Sequence, residues 1–283
     1  MALNSMQEIF EKAASRSIPF WRVVLETDME ERQVTEEQSM EKMRAAWHAM
    51  LESAVSYQGD QRSRSGLVGG DGARMRRYAA ADTTYSGPYV QEVIATALSV
   101  GESNACMRKI VAAPTAGACG VLPAVLVPLY QMGRATEEEI LQALYTASGI
   151  GAVVSFRACI AGASGGCQAE IGAACSMAAA AMGELTGLTI DEQEYAAEIA
   201  MEHHLGLTCD PICGLVQIPC IERNAVAAKR AMDAFNLSGL LCGSRNISFD
   251  MVVRTMKETG LHISAKYRET SEGGLAKLYD RRA

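Results

Sequence analysis

The stretch Gly149–Gly183 reads GIGAVVSFRACIAGASGGCQAEIGAACSMAAAAMG, and only Arg157 and Glu170 within it carry charge. Most of the rest is Ala, Gly and Ser, with a few Cys and aliphatic residues. Side chains this small let helix backbones approach one another closely, so the stretch predicts a central, tightly packed helical layer.

Helix-start signals stand on both sides of it. Thr136-x-x-Glu139 lies upstream and Thr189-x-x-Glu192 downstream. Each is a capping box, in which the Thr hydroxyl accepts one orphan N–H and the Glu carboxylate another. Ser5-x-x-Glu8 and Thr35-x-x-Gln38 repeat the pattern. Within 37–57, Met40, Met43, Ala46, Trp47, Met50 and Leu51 recur at helical spacing. The segments 89–100, 137–156, 168–186, 191–204, 222–235 and 248–259 read as further helices, with Gly133 and Gly260 at expected helix ends. Alternating strand patterns are hard to find. The expected fold is therefore all-α, a single large helical domain with Gly-rich loops buried inside it. Residues 1–35 are expected to form a small N-terminal helical extension of that domain, because Ile18-Pro19-Phe20 breaks the first helix. Residues 36–283 form the rest.

At 283 residues the chain can bury roughly 75% of its unfolded surface and needs no covalent staples. The net charge of −7 argues against a nucleic-acid face, which requires clustered cations. The one basic run, Arg62 to Arg77, is interleaved with Gly and Ser and reads as a loop meeting a small anion. Ile110–Tyr130 is interrupted by Pro114, Pro123 and Pro128, and Ile140–Phe156 is short and carries Gln142, Thr146, Ser148 and Ser155. Both read as buried interior, with no membrane span expected. Met1–Phe20 is polar and amphipathic and does not resemble a secretion leader. With nine cysteines, an odd number, the expected setting is a reducing cytoplasm, where clustered thiols favour metal binding or catalysis over disulfides.

Between the helices lie unusual loops. Ser65-Gly66-Leu67-Val68-Gly69-Gly70-Asp71-Gly72 is rich enough in glycine to offer backbone N–H groups to a carboxylate or phosphate, yet it is neither a P-loop nor a dinucleotide fingerprint. As an isolated motif it is equally an ordinary flexible loop. Pro114–Gly120 places Thr115 and Gly117 between apolar runs, as either a tight interhelical turn or a buried ligand loop. The third loop, Gly162–Glu170, contains Cys167. The fourth, Glu202–Asn224, contains Cys209 and Cys220 with Pro211, Gly214 and Pro219 between them. This spacing is not that of a zinc finger. Three thiolates on turns that fold back on each other could hold an iron–sulfur cluster and leave one iron without a protein ligand, free to act as a Lewis acid. Cys106, Cys159, Cys175 and Cys242 read instead as small buried hydrophobes. His203 and His204 are adjacent, so on a helix they point about 100° apart and cannot share one site.

Taken together, Ser65–Gly72, Pro114–Gly120, Ser164–Gly172, Glu202–Asn224 and the tail Lys266–Ala276 resemble the α subunit of bacterial iron–sulfur-dependent L-serine dehydratase, over nearly the whole chain. The resemblance implies an all-helical catalytic domain with a 4Fe-4S cluster on Cys167, Cys209 and Cys220. Cys213, inside the same motif, is either a bystander or a substitute ligand. It also implies β-elimination of water from L-serine to give pyruvate and ammonia, in amino-acid catabolism and gluconeogenesis. The carboxylate and ammonium of serine would be oriented by Ser65, Asp71 and Thr115 as catalytic residues and by Gly69, Gly70 and Gly117 as binding residues. Some relatives place a C-terminal cysteine near the cluster, whereas this sequence ends Asp280-Arg281-Arg282-Ala283. The family's Ser-Ser-Ser-His-Thr type motif is missing from these residues, so a separate β subunit is expected to complete the site and to be one source of the base.

Three rival readings remain open on sequence. A PLP enzyme needs a Schiff-base lysine in a cofactor loop, and Lys266 is the least implausible of the seven lysines. A cysteine desulfidase would use the same cluster logic with sulfide as leaving group. A non-catalytic redox sensor would use the thiols without turnover.

Overall fold

Full reciprocal capping boxes open three of the long helices, at Thr35–Gln38, Thr136–Glu139 and Thr189–Glu192. At the first helix Ser5 caps the Glu8 N–H, while Glu8 reaches back to the Asn4 N–H rather than to Ser5 itself. The computed structural model describes residues 3–80 and 85–279. Within them lie α1 (Met6–Arg16), α2 (Phe20–Arg32), α3 (Glu36–Val55), α4 (Asp71–Ala79), α5 (Pro88–Ala105), α6 (Val121–Gln131) and α7 (Glu137–Arg157). The short α8 (Gly162–Gly165) and a π-helical turn, Gln168–Gly172, lead into α9 (Ala173–Leu185), followed by α10 (Ile190–Glu202), α11 (Cys220–Leu241), α12 (Phe249–His262) and the short α13 (Gly274–Leu278). No strand occurs among the described residues, and a single isolated bridge joins Cys209 to Arg268. The fold is all-α. The Asp280–Ala283 ending and the first two residues lie outside the described residues.

Helix α9 is the centre. Every residue from Ala173 to Gly183 is buried, because α6, α7, α10 and α11 all pack on it. That surround explains the composition: a helix enclosed on all sides cannot present a polar face, and small side chains leave room for its neighbours. Helix α2 packs on the outer side of α7, and α1 lies against α2 and α12.

The structure corrects or sharpens the sequence expectations at four points. Val121–Gln131 is helical despite its prolines: Pro123 sits in the first turn, where no N–H is needed, and Pro128 is tolerated inside the helix. The basic run is only partly loop, since Arg74, Arg76 and Arg77 lie on α4, where Arg76 pairs with Glu92. Gly260 does not end a helix. It lies in the last turn of α12, where a Cβ would stand 3.0 Å from Gly165 Cα, so its role is close packing against α8. Finally, Glu137–Arg157 is long and apolar enough to cross a bilayer by length and composition. In this fold most of its apolar window is buried by the other helices.

Candidate active site

The Pro114–Gly120, Ser164–Gly172 and Glu202–Asn224 segments and the tail converge beside the π-helical turn. The Ala116–Ala118 turn packs on the π-turn and on α11, and α13 packs on the Ile212–Gly214 turn. Three buried thiols meet there: Cys167 is 1% exposed, Cys209 2% and Cys220 5%.

Each thiol has its own anchorage. Cys167 immediately precedes the π-turn, and the neighbouring Gln168 amide donates to the Gly165 and Met256 carbonyls and accepts the Gly206 N–H at 2.9 Å. One buried amide thus fixes three segments around the sulfur. Cys209 is held at both backbone groups by the tail: its N–H donates to the Tyr267 carbonyl at 2.8 Å and its carbonyl accepts the Glu269 N–H at 2.6 Å. Cys220 opens α11. One turn later Asn224 donates to the Cys220 and Gly117 carbonyls, each at 2.7 Å, and accepts the Gly120 N–H at 2.8 Å. The Thr115–Gly120 loop is thereby pinned to the Cys220 helix.

The sulfurs also interact electrostatically. The Cys209 thiol and the Arg223 guanidinium both lie beside the Cys167 sulfur. Both hold the Cys167 thiol below its ordinary value, and Cys209 is driven up as the member of the pair that keeps the proton. Burial, followed by the charge on Cys167, pushes the Cys220 thiol up to about 12. Arg223 is itself placed by the Thr208 carbonyl at 2.7 Å and the buried Asp210 carboxylate at 3.1 Å.

Glu170 completes the group. One carboxylate oxygen and the sulfurs of Cys167 and Cys209 all lie within 4.8 Å of one another. A Cβ on Gly162 would fall 2.8 Å from Glu170 Oε2 and 3.0 Å from Cys209 Sγ, and one on Gly117 would fall 3.4 Å from Glu170 Oε2. Space for the carboxyl is therefore made by residues that lack a side chain. Burial raises the Glu170 carboxyl, with the Thr115 hydroxyl pulling it down and the charge of Glu269 pushing it up. That hydroxyl is buried and has no hydrogen-bond partner of normal geometry. The hydroxyl therefore faces the Glu170 carboxyl without a well-formed hydrogen bond and can turn to a molecule received beside it.

Of the residues expected from sequence, Cys167, Cys209, Cys220, Thr115 and Gly117 are brought together. Ser65 joins indirectly: its hydroxyl donates to Gln217 on the Cys209–Cys220 loop at 2.6 Å. Asp71, Gly69 and Gly70 stand apart. Asp71 pairs with Arg74 at a half-exposed position. Cβ atoms on Gly69 and Gly70 would strike the Gln61 carbonyl and the Arg62 guanidinium, so close packing requires glycine at both positions. The Asp71 and Gly72 N–H groups donate to the internal Glu102 carboxylate. Cys213 is exposed. Of the four cysteines read as buried hydrophobes, only Cys175 is fully buried, while Cys106, Cys159 and Cys242 are partly exposed. The two histidines accept structural roles, with both Nδ1 atoms on carbonyls four residues back.

Glu170, Arg223, Asn224, Gln168 and Glu269 went unassigned on sequence. Spacing offered a signal for three of them: Glu170 follows Cys167 by three positions, and Arg223 and Asn224 follow Cys220 by three and four, which on a helix means a shared face. Glu269 is brought in only by the docking of the tail.

The family model for the serine dehydratase alpha chain matches residues 15–276. The chain belongs to the serine dehydratase alpha chain family. Among similar proteins, the probable L-serine dehydratase, alpha chain, of Bacillus subtilis is 36% identical over 96% of this chain and 91% of its own length. L-serine dehydratase of Streptomyces coelicolor is 50% identical over 64% of this chain and 40% of its own. L-serine dehydratase 2 of Escherichia coli is 43% identical over 81% and 52%. The family member described here thus spans about half, or less, of the last two relatives and nearly all of the first.

The donor set fits the iron–sulfur group that the family resemblance implies. Three soft thiols, one just before the π-turn and two from the Glu202–Asn224 segment, are shielded from water and have small residues beside them.

Proposed function

We propose that this chain is the α subunit of a two-subunit L-serine dehydratase, converting L-serine to pyruvate and ammonia, with a 4Fe-4S cluster on Cys167, Cys209 and Cys220. The observation that carries the reading is the convergence of three buried thiols beside Glu170 and the unpartnered Thr115 hydroxyl. Family membership and the names of the relatives supply the substrate.

When bound, the cluster would supply a Lewis-acidic iron that makes the serine hydroxyl a better leaving group. The chain's own residues do the remainder. Arg223 and the Cys209 thiol stabilise negative charge on Cys167. Gly117 and Gly162 keep the space around Glu170 open, and the Thr115 hydroxyl is free to donate to a substrate carboxylate. Burial of the three thiols limits the access of bulk water to them. Loss of the α-proton and the β-hydroxyl leaves aminoacrylate, which tautomerises and hydrolyses to pyruvate and ammonia. The β subunit supplies groups that these residues lack, the α-proton base among them. The alpha-chain relative of nearly equal length and the longer dehydratases that this chain only half covers support that division. Nine free cysteines accord with a reducing compartment.

The test is anaerobic iron and sulfide reconstitution of the purified chain, followed by serine with and without a candidate β subunit. A visible absorbance band that shifts with serine, and pyruvate formation only with the partner, is the expected result. A protein that stays colourless after reconstitution would overturn the cluster assignment.

A further inference from the structure

We propose that the cluster-free chain holds a single divalent transition-metal ion, Zn2+ by preference, on Cys167 Sγ, Cys209 Sγ and a carboxylate oxygen of Glu170, with Cys220 left out. The inference rests on the reading of Cys167 and Cys209 as metal ligands and adds an oxygen donor and a second metal state to it.

The three donors lie close enough together to hold one ion. Tetrahedral zinc with bonds of about 2.3 Å to sulfur and about 2.0 Å to oxygen spaces its donor atoms by roughly 3.5–3.8 Å. The two sulfurs and the carboxylate oxygen fall within 4.8 Å of one another. Cys220 is not a member of this tight group. A four-iron cluster differs in kind, because each cysteine binds a separate iron and the thiols must stand further apart. The cradle is built for the compact arrangement as well. Gly162 gives Glu170 and Cys209 the room to meet, and the tail holds Cys209 at both backbone groups. The unpartnered Thr115 hydroxyl lies beside the carboxyl, where it can orient Glu170 or a water in the fourth position.

The choice of metal follows from the donors. Two thiolates and a carboxylate suit zinc, which binds a given set of such ligands more tightly than ferrous iron does. Binding displaces the thiol protons, and any proton on Glu170, into solvent, and no electron moves. Zinc in this position would occupy two of the three cysteines that the cluster needs, so zinc loading and cluster assembly exclude each other.

The experiment uses the full-length cluster-free chain, titrated anaerobically with Zn2+ against a chromophoric chelator and, separately, with Co2+ as a spectroscopic probe. A single equivalent should bind, and the Co2+ form should show thiolate-to-metal charge transfer. Cys167→Ser and Cys209→Ser should weaken binding about 100-fold and Glu170→Gln at least about tenfold, whereas Cys220→Ser should leave both affinity and spectrum unchanged. Glu170→Gln preserves shape and carries the test where a cysteine variant misfolds. Zinc-loaded chain should fail to develop the visible band on reconstitution. Equal weakening by Cys220→Ser and Cys209→Ser, or no effect of Glu170→Gln, would overturn the inference. Reconstituting zinc-free samples in parallel separates the two proposals. A chain that builds the cluster but ignores zinc overturns this inference alone. One that binds zinc as described but never builds a cluster overturns the proposed function alone.

Discussion

The Asp210 carboxylate accepts the Leu275 N–H at 2.7 Å, and this contact ties the loop that carries Cys209 to the tail of the chain. The same carboxylate pairs through its other oxygen with Arg223, the cation beside Cys167. Gly274, just before Leu275, has φ of +59°, and a Cβ there would stand 2.2 Å from Asp210 Oδ2. Gly274→Ala should therefore undock the tail at a cost of about 1–3 kcal/mol. Hydrogen exchange should show faster exchange at the Cys209 and Glu269 amides, which pair with the tail and the loop respectively. Unchanged protection at both would show that the clamp does not depend on Gly274.

Asn224 is 1% exposed and meets two carbonyls and one N–H. Asn224→Asp cannot donate to the Gly117 and Cys220 carbonyls and puts a carboxylate against both. Leaving buried groups unpaired costs about 1–3 kcal/mol each, so the variant should be destabilised by roughly 2–4 kcal/mol in urea denaturation. A loss below about 1 kcal/mol would mean that water or local movement replaces the side chain.

His204 is 3% exposed, and burial pushes its imidazole down to about 4. The unfolded chain, with an ordinary value near 6.5, therefore binds a proton that the folded chain refuses between those limits. The unfolded state holds more protons in that window, so stability rises with pH. The contribution is complete above about pH 6.5 and is lost as pH falls toward 4, on the order of 3 kcal/mol in all. Other groups titrate in the same range, so the measurement is a difference. Urea midpoints across pH 4.5–7 should fall less steeply on acidification for His204→Gln than for the parent chain. Parallel curves would show that His204 is not the group responsible.

Cys213 shares a motif with the thiols of the site but is exposed, at φ of +57° on the tip of its turn. Cys213→Ser should retain the reconstituted visible band, whereas Cys220→Ser should lose it. Loss of the band in Cys213→Ser would move the third ligand from Cys220 to Cys213.

Gly162→Ala tests the space around Glu170. Its Cβ would crowd the carboxyl and Cys209 Sγ without straining the backbone, since Gly162 is helical. Far-UV circular dichroism should be unchanged while the reconstituted band falls severalfold. A full band would show that the neighbours yield.

What the chain alone determined follows from local rules. Capping boxes, helical periodicity and the run of small residues from Gly149 to Gly183 specify an all-α fold and its central helix, because each rests on contacts within a few residues or on burial of a whole face. Cys167, Cys209 and Cys220 stood out because glycine and proline around them forbid continuous helix. Tertiary structure decided the rest. That the Asp71 and Gly72 N–H groups would be bound by Glu102 depended on a residue about thirty positions away. That Glu170 would meet Cys209 depended on how the π-turn and the Cys209 loop are stapled by Gln168. That Glu269 would act on the thiols depended on a tail docked through Asp210. Such relationships join residues distant in sequence through hydrogen bonds and close packing, and no local pattern encodes them.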